Sequence, residues 1–243
     1  MIIVGWSVKG GSGTTAMCGA IAASSARNAS TVLVDLCGDA PALFAMPTTP
    51  RPGLLEWCNA DASVSPDSIA SLIQHHGPPG RALALLNAAP QPATPTAPSP
   101  PALDRPAELT ASGSLSRLHL AMQWLSRSFD CVVLDAGHRT DDVAETLVQL
   151  CDVGVIVIRP CALSVRAALR STRSVVGAVV VGSGGGALHA DDVGAFLGVP
   201  TLGHVPTDRS IAAAVDAGSF GRRVPRELVR PARAVLRAAG VVT

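Results

Sequence analysis

The chain has 243 residues, 48% of them hydrophobic and 15% charged, with a net charge of +1 at pH 7 and a mean hydropathy of +0.36. That length fills one well-packed domain, and low charge with high apolar content excludes a disordered chain. The near-neutral balance excludes a globally basic nucleic-acid binder, and 3% aromatic residues without a tyrosine excludes base-stacking modules for single strands.

The chain opens on Ile2–Val8, an apolar run that reads as a strand because it has no basic flank or small-residue cleavage site of a leader. A helix is predicted over Thr14–Arg27, a strand over Thr31–Asp35, a helix over Gly53–Asn59 and a strand over Ala82–Leu86. From Pro78 to Pro106 the composition turns to Pro, Ala, Thr and Ser, which predicts an extended surface loop kept out of the sheet. Beyond it come a helix over Ser114–Ser128, a strand over Cys131–Leu134, a helix over Asp141–Leu150 and a strand over Gly154–Ile158. Helix Leu163–Ser174, strand Val176–Val181, helix Ala190–Leu197, strand Thr201–Val205 and helix Ile211–Ala217 follow. Strands apolar on both faces, alternating with helices, predict an α/β fold: a doubly wound, mostly parallel sheet with helices on both faces, forming one domain over 1–243.

The longest apolar runs, Val175–Val181 and Val153–Ile158, fall far short of the roughly 18 residues that span a bilayer. Cys18, Cys37, Cys58, Cys131, Cys151 and Cys161 form no CxxC pair and no close Cys/His spacing, so buried inert thiols in a reduced cytoplasm are expected. His75 and His76 are expected to be exposed before the loop at Gly77. His138 and His204 stand among small or apolar neighbours, and no catalytic histidine is assigned.

The strongest chemical signal is Lys9-Gly10-Gly11-Ser12-Gly13-Thr14-Thr15, between a hydrophobic strand and a helix. Glycines let the backbone curl so that successive N–H groups line one concavity at a helix N-terminus, which suits phosphate oxygens. Thr15 would offer its hydroxyl to Mg²⁺. Of 19 basic residues 18 are arginine, and the one lysine, Lys9, stands at the front of this loop.

This arrangement resembles the deviant Walker A motif, K-G-G-x-G-K-[ST], of the MinD/ParA superfamily. Val32-Leu33-Val34-Asp35 is similar to that family's second strand with its aspartate, and Phe129–Asp135 resembles its Walker B segment. Asp152–Val157 resembles the following strand, and Val199–Pro206 the G-x-P-x-x-G-x-I-P segment. The resemblance implies an ATP- and Mg²⁺-binding protein that dimerises with nucleotide and positions a division site, a pilus or polar assembly, or a chromosome. It further implies that Lys9 reaches the partner's phosphates, Gly10, Gly11, Ser12, Gly13 and Thr14 cradle the nucleotide, and Thr15 and Asp135 hold Mg²⁺. Lys9, Asp35 and Asp135 are the implied catalytic set. The Gly-x-Gly-Thr-Thr ending is similar to the TadZ/CpaE pilus-localisation branch and to actinobacterial septum-site-determining homologues.

The departures cluster around the expected nucleotide. Thr14 replaces the lysine that contacts phosphates in cis; a hydrogen bond to a charged group contributes about 1.5–3 kcal/mol, about ten- to hundredfold in affinity. Cys37 stands where the family has a second aspartate, with Asp39 two residues on. Ala136-Gly137-His138-Arg139 replaces x-P-x-G, and Gly182-Ser183 replaces a base-reading asparagine. Weak or partner-stimulated hydrolysis is expected. The alternative is a nucleotide-independent scaffold of the same fold. A cluster-carrying enzyme is disfavoured by the missing cysteine pair.

Near 224–239 a basic helix is predicted, with Arg226, Arg230, Arg233 and Arg237 on one face and Leu228, Ala232, Val235, Leu236 and Ala239 opposite. Pro231 is expected to kink or split it. The leading expectation is an apolar side packed on the sheet beneath a solvated basic face; weak contact with membrane or DNA is the alternative. A cytoplasmic protein is expected, with peripheral attachment at the inner face of the plasma membrane as a variant.

Overall fold

The computed structural model describes residues 1–46, 52–60, 63–77, 83–87, 112–138, 142–171, 173–182 and 188–241. Its first half runs β1 (Ile2–Trp6), α1 (Thr14–Ser25), β2 (Thr31–Asp35), α2 (Ala40–Leu43), α3 (Leu54–Cys58), a 3₁₀ turn (Pro66–Leu72), β3 (Gln74–His76) and β4 (Leu83–Asn87). The second half runs α4 (Ser112–Ser128), β5 (Cys131–Gly137), α5 (Asp142–Gln149), β6 (Val153–Ile158), α6 (Ala162–Ala168), β7 (Gly177–Val181), α7 (Ala190–Leu197), β8 (Thr201–Val205), α8 (Arg209–Asp216) and α9 (Arg226–Ala238).

The strands form one eight-stranded sheet in the order β3-β4-β2-β5-β1-β6-β7-β8, parallel except for β3. The predicted α/β doubly wound fold is therefore correct. Side-chain alternation divides the core into two layers. Ile3, Leu33, Val133 and Val155 face α1, α2 and α9, whereas Val4, Val34, Val132 and Leu134 face α3, α4 and α5. Ile3 and Leu33 both pair in register with Val133, which aligns the strand ends. α1 closes tightly on the sheet because Gly5 has no side chain: a Cβ there would lie 2.3 Å from Cys18 Sγ.

Four expectations need correction. The stretch from Pro78 to Pro106 was expected to stay out of the sheet, yet Leu83–Asn87 is buried between β3 and β2, since its Leu-Ala-Leu-Leu core outweighs the flanking prolines. The rest of that stretch lies outside the described residues. His75 is exposed as expected, but both histidines form the antiparallel edge strand, and the His76 ring is half-buried, 5.7 Å from Phe44. The helix predicted over Leu163–Ser174 ends at Ala168.

Finally, Pro231 does not break α9. Its buried ring seats over Gly203 of β8, where a Cβ would come within 2.7 Å of the ring. Close packing on a glycine thus keeps the helix continuous despite a missing N–H. Leu228, Ala232, Val235 and Leu236 are buried against α1 and β8, with Arg226, Arg230, Arg233 and Arg237 exposed, as the helical spacing requires.

Candidate phosphate-loop site

In this topology β1 lies between β5 and β6, so the loop after β1 emerges at the carboxyl edge among three strand ends, the position where open α/β sheets bind ligands. The loop is held from below. Ser7 Oγ donates to the carbonyls of Lys9 (3.0 Å) and Gly137 (3.1 Å), and buried Ser12 donates to Lys9 at 2.8 Å. Gly11 (φ 69) and Gly13 (φ 83) occupy the left-handed region, which curls the backbone into α1 with Gly13 as its N-cap. Lys9 and Gly10 are exposed at the rim, and Thr15 is half-buried at the helix start. Thr14 is buried and its methyl faces Gly5, so its side chain points into the fold, away from the concavity's mouth.

Asp35 ends β2 beside Asp135, two residues before the end of β5; the two are paired in register and both fully buried. Asp35 braces its own loop: Oδ1 accepts from the N–H of Cys37 (2.8 Å) and Gly38 (2.9 Å), and Oδ2 from Ala40 (2.8 Å). Burial still pushes its pKa up, against those three hydrogen bonds. Asp135 Oδ1 accepts from the Gly137 N–H at 3.0 Å, whereas Oδ2 is buried without a hydrogen-bond partner. Burial first, then the Asp35 charge, raises the Asp135 pKa to about 7. The Thr15 hydroxyl stands near enough to favour the ionised form without completing a bond to Oδ2.

The sequence-derived set therefore converges: the Lys9–Thr15 loop, Asp35 and Asp135 share one edge. Three neighbours are given no role by sequence reasoning. Arg159, at the end of β6, donates to the Gly11 carbonyl at 2.6 Å. His138, expected to stand alone, lies against the loop, its ring 3.7 Å from the point a Gly10 Cβ would occupy. Cys161, beyond Arg159, is exposed, and its thiol is held below the usual value by the Ser164 hydroxyl, with Lys9 contributing. Each follows the end of a strand adjacent to β1, which is the topological signal that would have found them.

The cysteine expectation also fails in part. Cys18, Cys58 and Cys131 are buried, but Cys37 and Cys161 are exposed at this edge, because loops leave the strand ends there. Gly182, at the end of β7, accepts from or donates to nothing through a side chain; its carbonyl lies 2.9 Å from His204 Nε2. Ser183 and Arg139 lie outside the described residues. Among the described residues no helix is long and apolar enough to cross a membrane.

No protein-family profile matches the sequence, and no curated protein matches it. Solved structures do. A ParA family ATPase from Chlorobium tepidum superposes with a TM-score of 0.72 at 19% identity, covering 98% of this chain and 97% of that one. The septum site-determining protein MinD from Pyrococcus horikoshii, complexed with Mg-ADP, gives 0.72 at 15% identity, over 98% and 97% of the two chains. The ATP complex of an aspartate-to-alanine variant of McdA from Cyanothece gives 0.73 at 18%, over 100% and 97%. The chain has the fold of the MinD/ParA ATPases.

Proposed function

We propose that the chain binds ATP with Mg²⁺ at the Lys9–Thr15 loop, pairs with a second copy when loaded, and positions a cellular assembly. One observation carries this reading. A glycine loop in left-handed conformation opens a 12-residue helix at the carboxyl edge, beside a buried Asp135 oxygen that lacks a partner. An orphaned buried carboxylate oxygen next to a threonine hydroxyl fits a hard divalent cation.

On this reading the loop amides hold the phosphates, and Thr15 and Asp135 hold Mg²⁺. Bound Mg²⁺ supplies neutralisation of phosphate charge. Lys9, exposed at the rim, is free to reach the partner's phosphates, a task for which a compact ammonium on a flexible stem is suited. Nucleotide complexes of MinD and McdA, which share the fold, support the ligand class. Hydrolysis is slow, since Thr14 offers no cation and Cys37 stands where the resembling family has a carboxylate. The C-terminal arginines form a solvated face on a helix whose apolar side is already packed.

Light scattering with and without millimolar Mg-ATP tests the reading. The mass of the wild type is expected to double with nucleotide, and that of Lys9→Ala to stay monomeric. A dimer indifferent to both nucleotide and Lys9→Ala would favour the nucleotide-independent scaffold instead. No ATP binding at millimolar concentration would end the nucleotide reading.

A further inference from the structure

The carboxyl edge carries a second feature, which shares Asp135 with the proposed Mg²⁺ site and adds Asp35 and Cys37. Asp35, Cys37 and Asp135 each present a ligand atom, and the three atoms lie within 4.8 Å of one another. We propose that these residues form a site for a thiophilic divalent cation of the Zn²⁺ class, loaded without nucleotide.

The site is more than a cluster of acids. Asp135 is fully buried and its Oδ2 has no hydrogen-bond partner, an arrangement that is costly unless a ligand completes it. Asp35 Oδ2 receives a single N–H, from Ala40, and a carboxylate oxygen has two lone pairs, so one remains for a metal. The three backbone donors on Asp35 fix its orientation and that of the Cys37 loop, as outer-shell hydrogen bonds do around metal ligands.

The sulfur has a built seat. Cys37 Sγ occupies space above Gly137 (φ 53), where a Cβ would lie 2.2 Å from it, so any side chain at 137 would expel the thiol from the carboxylates. Among the described residues neither carboxylate forms an ion pair with Arg or Lys, so no protein cation competes for the two adjacent carboxyl groups. Bonds of about 2.0–2.3 Å around a tetrahedral ion put ligands roughly 3.3–3.8 Å apart. A closure of about 1 Å reaches that spacing, and Cys37 lies at the exposed end, open to an entering ion. One sulfur and two oxygens favour Zn²⁺ or Co²⁺ over Mg²⁺, which demands an octahedron of oxygens.

The site shares Asp135 with the nucleotide reading, and its experiment contains no nucleotide, so failure of one is distinguishable from failure of the other. Co²⁺, an optical stand-in for Zn²⁺, is titrated into reduced wild-type protein while thiolate-to-cobalt charge-transfer absorption is followed. One equivalent is expected to bind, with displacement by Zn²⁺ but not by Mg²⁺. Cys37→Ser is expected to abolish the band and weaken Zn²⁺ binding at least tenfold, and Asp135→Asn to weaken it similarly. Cys161→Ser, which removes the other exposed thiol at this edge, should change nothing. A second readout needs no substitution: Zn²⁺ should shield Cys37, and not Cys161, from alkylation in the wild type, as mapped by mass spectrometry. Absence of the band, its survival in Cys37→Ser, or unshielded Cys37 would overturn the proposal.

Discussion

At the amino edge of the sheet, Asp130 accepts from the N–H (2.9 Å) and hydroxyl (2.6 Å) of Ser30, and Asp152 accepts from the Ile2 N–H at 2.7 Å. Both are exposed. At the carboxyl edge, Asp35 and Asp135 are fully buried, and one oxygen of Asp135 has no partner. The same residue type serves opposite ends. Before β5 and β6 it ties the entering chain to its neighbours in water, where the charge is solvated. Within β2 and β5 it places carboxyl groups in the core, where ionisation opposes folding unless a cation ligand stabilises it. The difference sets the two edges apart without reference to any motif.

The largest expected effect tests that contrast directly. The unfolded carboxyl of Asp135 titrates near 3.8 and the folded one near 7, so between those values the folded protein binds the additional proton. Its contribution to stability is complete below about pH 4 and is lost as the pH rises through 7. Replacing Asp135 with Asn removes the charge, so the variant is expected to be more stable than wild type at pH 8, by about 2–4 kcal/mol. Urea denaturation at pH 5 and pH 8 measures it, with the gain shrinking at the lower pH. A variant less stable at pH 8 would mean that the carboxylate is compensated after all.

The next effect concerns the loop itself. Thr14 is buried with its methyl towards Gly5, leaving the mouth of the concavity without the cation that a lysine would supply. Thr14→Lys is expected to tighten Mg-ATP binding by about 1.5–3 kcal/mol, about ten- to hundredfold, by calorimetric titration. Unchanged affinity would indicate that Arg159, already 2.6 Å from the Gly11 carbonyl, fills the role.

Much of this edge was legible beforehand. Apolar runs such as Val32–Val34 and Val155–Val157 have one physical meaning, strands buried on both faces, and the glycines of the loop have few uses other than a curled backbone. Thr15 is singled out by the phosphate-loop pattern, and Lys9 and Asp135 by the resemblance to the MinD/ParA motifs. What escaped depended on distant chain segments meeting. Arg159 is 148 residues from Gly11, and no local pattern joins them. Cys37 read as a failed aspartate because sequence does not reveal that Gly137 leaves a seat for its sulfur. Pro231 read as a breaker because its compensation, Gly203, lies on another element. The strand at Leu83–Asn87 was read twice, as strand and as part of the proline-rich stretch; burial on both faces decided for the strand.

The smallest expected effect lies at the opposite edge and has the opposite sign. The Ser30 hydroxyl, then its N–H, hold the Asp130 carboxyl below its usual pKa. That contribution is present above the unfolded value and is lost as the pH falls through the folded one. Ser30→Ala removes the hydroxyl and also the acceptor of the Asp130 N–H, now 3.0 Å away. Because Asp130 is exposed, water replaces both bonds, so the loss should be a small fraction of the Asp135 effect. Thermal melts of Ser30→Ala should therefore show a slight destabilisation at neutral pH that fades in acid. Wild type and Asp135→Asn should diverge in the reverse direction, as the pH rises. If instead Ser30→Ala destabilised as much as Asp135→Asn stabilises, the amino edge would be under the same electrostatic stress as the carboxyl edge, and charge burial would no longer single out the site.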